Sequence, residues 1–145
     1  MELPPALTRR IAHVLRRALA RADARDTDAL AEIGLPVRQY GVLALLQDGP
    51  VARQHELGAA LGLDRTTTAT LLRRLEDRGL VHRAPLPGNN RTLVLTLTAD
   101  GERLRAAGAR RLQDAEAEFL GPLAPADRER LRTSLDRLAQ PEGDR

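Results

Sequence analysis

The chain has 145 residues and a net charge of +3, enough length for one domain, and it contains no Cys, which excludes disulfides, thiolate metal sites and thiol-based redox sensing. No apolar run approaches the ~18 residues of a membrane span, and the N-terminus MELPPALTRRIAHVL lacks a signal peptide's cleavage pattern, so a soluble, cytoplasmic chain is expected. All 23 basic residues are Arg, a permanently charged and fork-shaped donor set suited to phosphate, although an Arg-, Ala- and Leu-rich composition also follows from codon bias.

In chain order, Leu7, Ile11, Val14, Leu15, Ala18, Leu19 and Ala22 recur at three- and four-residue steps and predict an amphipathic first helix. Its stripe is close to a heptad, so it suits a second subunit as well as the chain's own core. Residues 23–34 read as acidic and turn-rich. Gly34 and Pro36 mark a restart before a second helix over about 36–47. Asp48-Gly49-Pro50 ends it. A short third helix carries Leu57, Ala60 and Leu61 on one face, and Gly62 interrupts it.

Asp64 is placed to cap a fourth helix over about 65–78 that stops at Gly79. Two helices joined by the short turn Leu61-Gly62-Leu63 have the spacing of a helix-turn-helix, whose second helix enters the major groove. The pattern then alternates. A β-hairpin is expected, with Pro85 to Asn90 as its turn, Leu93, Leu95 and Leu97 facing inward, and Val94 and Thr96 facing outward. Thr98 caps a fifth helix to about 120, whose stripe is Leu104, Gly108, Leu112, Ala115 and Phe119, with small residues at 106–109 for close helix crossing. A sixth helix follows Pro125 with Leu131, Leu135 and Leu138. The fold class is mainly α with a small β-hairpin wing.

Charge is concentrated on the helix-turn-helix and the hairpin. The window from Asp64 to Arg91 holds six Arg against three acids, so it carries a net charge equal to that of the whole chain. Such a footprint suits nucleic acid. On the fourth helix, Thr68, Leu71, Leu72 and Leu75 form an inward face, leaving Arg65, Thr66, Thr67, Thr70, Arg73 and Arg74 outward. Thr hydroxyls can bond to bases or phosphates, Thr methyls can contact thymine, and an Arg can take guanine O6 and N7 together. Thr66, Thr67, Thr70 and Arg74 are therefore the base-edge candidates. The competing reading of Thr66 and Thr67 is first-turn capping; that of Arg73 is a solvated charge. Arg78 reads as a phosphate contact or a surface charge.

The stretch from Leu35 to Gly101 closely resembles the MarR family of bacterial regulators. The resemblance rests on Gln39-Tyr40 with Val42-Leu43, Glu56-Leu57, Leu63-Asp64-Arg65-Thr66-Thr67, Leu75-Glu76-x-x-Gly79-Leu80-Val81 and Leu97-Thr98-x-x-Gly101. It implies a winged helix-turn-helix lobe over 36–97 and dimerisation helices over 5–34 and 98–141. It also implies a homodimeric, sequence-specific regulator of double-stranded DNA, more often a repressor, with one recognition helix in each of two successive major grooves. The wing would reach the minor groove through Arg91, just past the hairpin tip. The family's usual Asp-x-Arg reads Asn89-Asn90-Arg91 here, which removes a charge that could brace an Arg. Thr70 stands where many relatives have Arg, implying a different operator.

The resemblance further implies a small anionic, often aromatic effector between the dimerisation helices and the winged lobe, with His13, Arg17 and Tyr40 as its candidate ligands. One Tyr, one Phe and no Trp furnish a stacking pocket sparsely. Helix core is the competing reading of Tyr40, and a surface position that of His13. His13, His55 and His82 lack an i, i+4 partner His, so no metal is expected, and no cofactor is implied. There is no P-loop, dinucleotide glycine fingerprint or nucleophile elbow, which argues against an enzyme. Two rival readings remain: a winged-helix module that binds protein or RNA without reading DNA, and a DNA-binding regulator with no small-molecule input.

Overall fold

The computed structural model describes residues 8–50, 54–86 and 88–140, without the side chains of 86 and 90–92. Its helices are α1 (Ile11–Ala31), α2 (Val37–Leu45), α3 (Gln54–Ala60), α4 (Arg65–Asp77), α5 (Ala99–Phe119) and α6 (Pro125–Ala139). The strands β1 (Val81–Leu86) and β2 (Asn89–Leu97) form one antiparallel hairpin between α4 and α5. Leu7 and residues 5–6 and 141 of the expected dimerisation segments lie outside the described residues. No helix among the described residues is long and apolar enough to cross a membrane.

Three helices end the same way. Gly34, Gly62 and Gly79 have φ of 64°, 64° and 67°, a left-handed conformation that costs glycine little. Each is followed by a Leu whose N–H reaches back five residues: Leu35 to Leu30 (3.0 Å), Leu63 to Gly58 (2.8 Å) and Leu80 to Leu75 (3.0 Å). These bonds satisfy carbonyls that a helix end leaves open and turn the following Leu inward. Leu35 and Leu80 are accordingly buried.

The expected turn over 23–34 is corrected: the first helix continues unbroken to Ala31. Its acidic residues lie off the buried position, Leu30 is fully buried, and Thr27 Oγ1 bonds to the carbonyl of Asp23 at 2.8 Å without breaking the helix. Residues that favour turns locally are held helical because Leu30 has a core to join.

The core gathers Leu30, Leu35, Val42, Leu43, Leu46, Leu57, Leu72, Leu75, Leu80, Val81 and Leu95 from α1, α2, α3, α4 and the hairpin. Each Leu so buried contributes about 1.5–3 kcal/mol of transfer free energy. α1 packs along α5, and Gly108 permits the crossing of α5 over α2. A Cβ at Gly108 would lie 2.8 Å from the Tyr40 ring and 3.2 Å from Leu35. α6 has no buried residue.

The hairpin differs from its sequence pattern in two respects. Val94 and Leu95 are both buried, whereas Leu93 is 55% exposed, so the expected inward Leu93 and outward Val94 are corrected. Leu93 pairs with Pro85 toward the tip, farther along the ribbon than the pairs that adjoin the core, and alternation there decides nothing about burial. The turn is also tighter than expected. Pro85 and Leu86 belong to β1, and Asn89 and Asn90 to β2, leaving Gly88 at φ 82° in the bend. Pro85 is tolerated because each strand of a two-stranded ribbon is an edge.

Candidate DNA-binding interface

The start of α4 is held by Asp64. Its carboxylate accepts from the Thr67 N–H at 2.8 Å and the Thr67 hydroxyl at 2.6 Å. The Thr67 hydroxyl first, and the Thr67 N–H after it, hold the Asp64 carboxyl below its ordinary range. Thr68 turns inward, is buried, and donates to the Asp64 carbonyl at 2.8 Å. α3 meets α4 at this point: a Cβ on Gly58 would sit 2.5 Å from Thr68 Oγ1 and 3.2 Å from the Leu63 carbonyl oxygen. The close approach requires glycine, and it fixes the helix-turn-helix angle.

With Thr68, Leu72 and Leu75 buried, the opposite face of α4 is set by helical geometry. Arg65, Thr66, Thr70, Arg73 and Arg74 are exposed, and Thr67 is half-buried with its hydroxyl engaged by Asp64, so the capping reading of Thr67 is realised. Thr66, Thr67, Thr70, Leu71 and Arg74 line an open groove of about 270 Å³ together with Arg38 of α2. No carboxylate lines this groove. Sequence reasoning missed Arg38. It lies outside the charged 64–91 window, and the nearness of α2 to α4 that brings it to the groove is a tertiary contact.

The arginines of this region divide by partner. Among the described residues, no ion pair or hydrogen bond engages Arg38, Arg65, Arg73 or Arg74. Arg83 is paired with Glu76 at 2.7 Å. Arg78 is exposed, as a surface charge would be, but it also donates to Gln39 Oε1 and to the Gly34 carbonyl at 3.0 Å, so its guanidinium is engaged within the protein. The wing's Arg91 stands in an irregular stretch of β2: Pro85 pairs with Leu93 but Leu86 with Asn89, a register shift of the kind that re-aims side chains. The Arg91 side chain lies outside the described part of the structure.

The three effector candidates are spread over two helices. His13 on α1 is half-buried, with Nε2 enclosed and without a hydrogen-bond partner among the described residues. Arg17 on the same helix is exposed. Tyr40 on α2 is half-buried, packed against Gly108. A cleft of about 760 Å³ opens elsewhere, between α1, α5 and α6, lined by Leu112, Phe119, Leu131, Asp26 and Glu116 among others, and none of the three candidates borders it. Burial there, then the charges of Asp23 and Glu116, push the Asp26 carboxyl above its ordinary range.

A short helix, a tight turn, a second helix with an outward Arg and Thr face and a following β-ribbon define a winged helix-turn-helix protein. The MarR family profile matches residues 33–92. The transcriptional regulator HosA of Escherichia coli O111:H- is 34% identical over 124 residues, covering 86% of this chain and 90% of HosA. CouR from Rhodococcus jostii RHA1, solved with p-coumaroyl-CoA, superposes with a TM-score of 0.79 at 29% identity, covering 98% of this chain and 100% of CouR. Rv2887 of Mycobacterium tuberculosis, solved with DNA, gives 0.78 at 26% identity, covering 90% and 98%. The chain belongs to the MarR family of transcriptional regulators.

Proposed function

We propose that the protein is a homodimeric transcriptional repressor that reads a pseudo-palindromic DNA operator and is released by a small anionic or aromatic ligand. The observation that carries this reading is the α2–α4 groove, where Arg38 and Arg74, engaged by no ion pair or hydrogen bond among the described residues, flank Thr66, Thr67 and Thr70; no carboxylate is in the groove lining, and of the three hydroxyls that of Thr67 is taken up by Asp64. Unengaged guanidinium groups on a helix that projects from a rigid turn suit phosphates and base edges. Arg65, Thr66, Thr67, Thr70, Arg73 and Arg74 contact DNA from α4, and Arg91 enters the minor groove from the wing. The DNA held by Rv2887 supports DNA as the partner of this fold.

The homodimer is supported by apolar surface that the single chain does not cover. Ile11 and Leu138 are 70% and 72% exposed, and Val14, Leu15, Leu19, Leu131 and Leu135 accompany them on α1 and α6. α1 is also uneven in charge, with Arg9, Arg10, Arg16, Arg17 and Arg21 in or just before its first half and Asp23, Asp26 and Asp28 against the single Arg25 in its second. Residues 5–34 and 98–141 thus form the dimerisation part and 36–97 the DNA-binding lobe, acting in the cytoplasm.

For the effector, the exposed Arg17, one turn along α1 from His13, is the cation that would take an anionic group, and CouR was solved with p-coumaroyl-CoA. Thermal shift against anionic aromatic acids tests this: Arg17→Ala should abolish the shift, and no shift with any acid points to a regulator without small-molecule input. Footprinting on the duplex upstream of the protein's own gene, at near-physiological salt with non-specific competitor, tests the main reading. A protected pseudo-palindrome of about two helical turns supports it. Salt-sensitive smearing on all duplexes, with equal or better binding to single-stranded RNA, favours the interaction-module reading instead.

A further inference from the structure

Arg78 is the C-terminal capping residue of α4, and its guanidinium turns away from the groove that holds Arg38 and Arg74. It donates through Nη1 to Gln39 Oε1 on α2 and through Nη2 to the carbonyl of Gly34, at 3.0 Å, in the turn that closes α1. One planar group therefore joins the end of the recognition helix, the first turns of α2 and the end of α1. Its partners lie 39 and 44 residues away in the chain.

The chemistry of the contact is specific to Arg. Gln39 is the only buried polar side chain besides Thr68 among the described residues, at 8% exposure, and its carbonyl oxygen loses its charged donor if Arg78 goes. A guanidinium satisfies two acceptors at once from a rigid fork, whereas an ammonium is a single point that cannot span both. Arg38, the neighbour of Gln39, lines the groove beside Thr70 and Arg74. The turn of α2 held by Arg78 thus also presents Arg38 to that groove.

We propose that Arg78 is a positioning residue for DNA binding: it locks the recognition helix at a fixed angle to α1 and α2, and so sets how α4 is presented by the dimerisation helices. The proposal rests on the DNA-binding reading above. Touching no DNA, Arg78 acts through Gln39 and Gly34.

The test is operator affinity as a function of salt for the full-length protein and the variants Arg78→Ala, Arg78→Lys, Gln39→Ala and the double Gln39→Ala/Arg78→Ala. A positioning role predicts a loss of about tenfold or more for Arg78→Ala at an unchanged salt slope, a comparable loss for Arg78→Lys, and a double variant little weaker than either single one. A slope flattened by about one unit, with Arg78→Lys near wild type, would identify a phosphate contact and overturn the proposal. Hydrogen exchange of the free protein gives a readout independent of DNA. Amides of Gly34, Leu35 and 37–39 and of Gly79 and Leu80 should exchange faster in Arg78→Ala, and unchanged exchange there overturns the lock even if no duplex binds.

Discussion

Gly101 sits in the first turn of α5, where an ordinary Gly→Ala change would stabilise a helix by about 1 kcal/mol. Here the sign should reverse. A Cβ at this position would lie 2.0 Å from the carbonyl oxygen of Leu80 and 2.9 Å from its carbonyl carbon, with Leu97 Cδ2 at 3.3 Å. Neither backbone atom is free to retreat. The Leu80 carbonyl accepts the Thr98 N–H at 3.1 Å, the Leu80 side chain is buried in the core, and the Thr98 hydroxyl donates to the Gly79 carbonyl at 2.6 Å. The N-terminus of α5 is thus clamped against the junction of α4 and β1, and a methyl group must displace backbone.

Overpacking costs about 1–3 kcal/mol, and an approach of 2.0 Å to a backbone oxygen that cannot retreat puts Gly101→Ala at about 3, so after a helix-propensity gain of about 1 kcal/mol a net loss of about 2 kcal/mol is expected. In a chain of this size that corresponds to a fall in Tm of about 4–8 °C. Thermal and urea melts at matched protein concentration measure it, with Thr98→Ala as companion. That variant removes the hydroxyl that both accepts from the Gly101 N–H and donates to Gly79, at a cost of about 1 kcal/mol. A Gly101→Ala protein that melts at or above the wild-type temperature would refute the clamp.

Arg91→Ala should weaken operator binding by about 1–3 kcal/mol and flatten the dependence of log K on log salt by about one unit, read by gel shift over a salt series. Arg74→Ala should cost about 1–3 kcal/mol and relax preference at a single base pair per half-site, read by binding to a library of single-base operator variants; a uniform loss across all variants would reassign it to phosphate. Asp64 has its carboxyl pKa lowered by the Thr67 hydroxyl and N–H, so its stabilising contribution is complete above the unfolded value of about 3.9 and is lost as pH falls through the lower folded value. The stability gap between wild type and Asp64→Ala, from denaturant titrations, should be flat between pH 5 and 8, on the order of the neutral range, and narrow in stronger acid. A gap that instead grows on acidification would contradict the capping geometry.

Much of the interface was legible because helix caps and periodicity act within a few residues. Asp64 and Thr98 cap the helices their spacing predicts, and the inward positions Thr68, Leu72 and Leu75 of α4 dictate the outward Arg and Thr face, with Leu71 at its border. Gly79 ends α4 as expected because a left-handed residue with a Leu behind it is a local device. The Leu97-Thr98-x-x-Gly101 motif was recognisable as a pattern, but its physical basis, a backbone carbonyl from another element at the Gly101 Cα, was not.

The local code failed where burial decides. Residues 23–31 carry turn-forming side chains, yet they are helical because Leu30 reaches a core supplied by four other elements. Alternation along β2 named Leu93 as inward and Val94 as outward, and the ribbon's position against the helices reversed both. By itself, then, the sequence determined the number and kind of elements, the caps and the family, since these follow from short-range backbone chemistry. Only the tertiary structure decided which arginines are free and which are spoken for: the fate of Arg78 depends on acceptors 39 and 44 residues away, and that of Arg38 on the approach of α2 to α4, contacts that exist only once the core has brought the helices together.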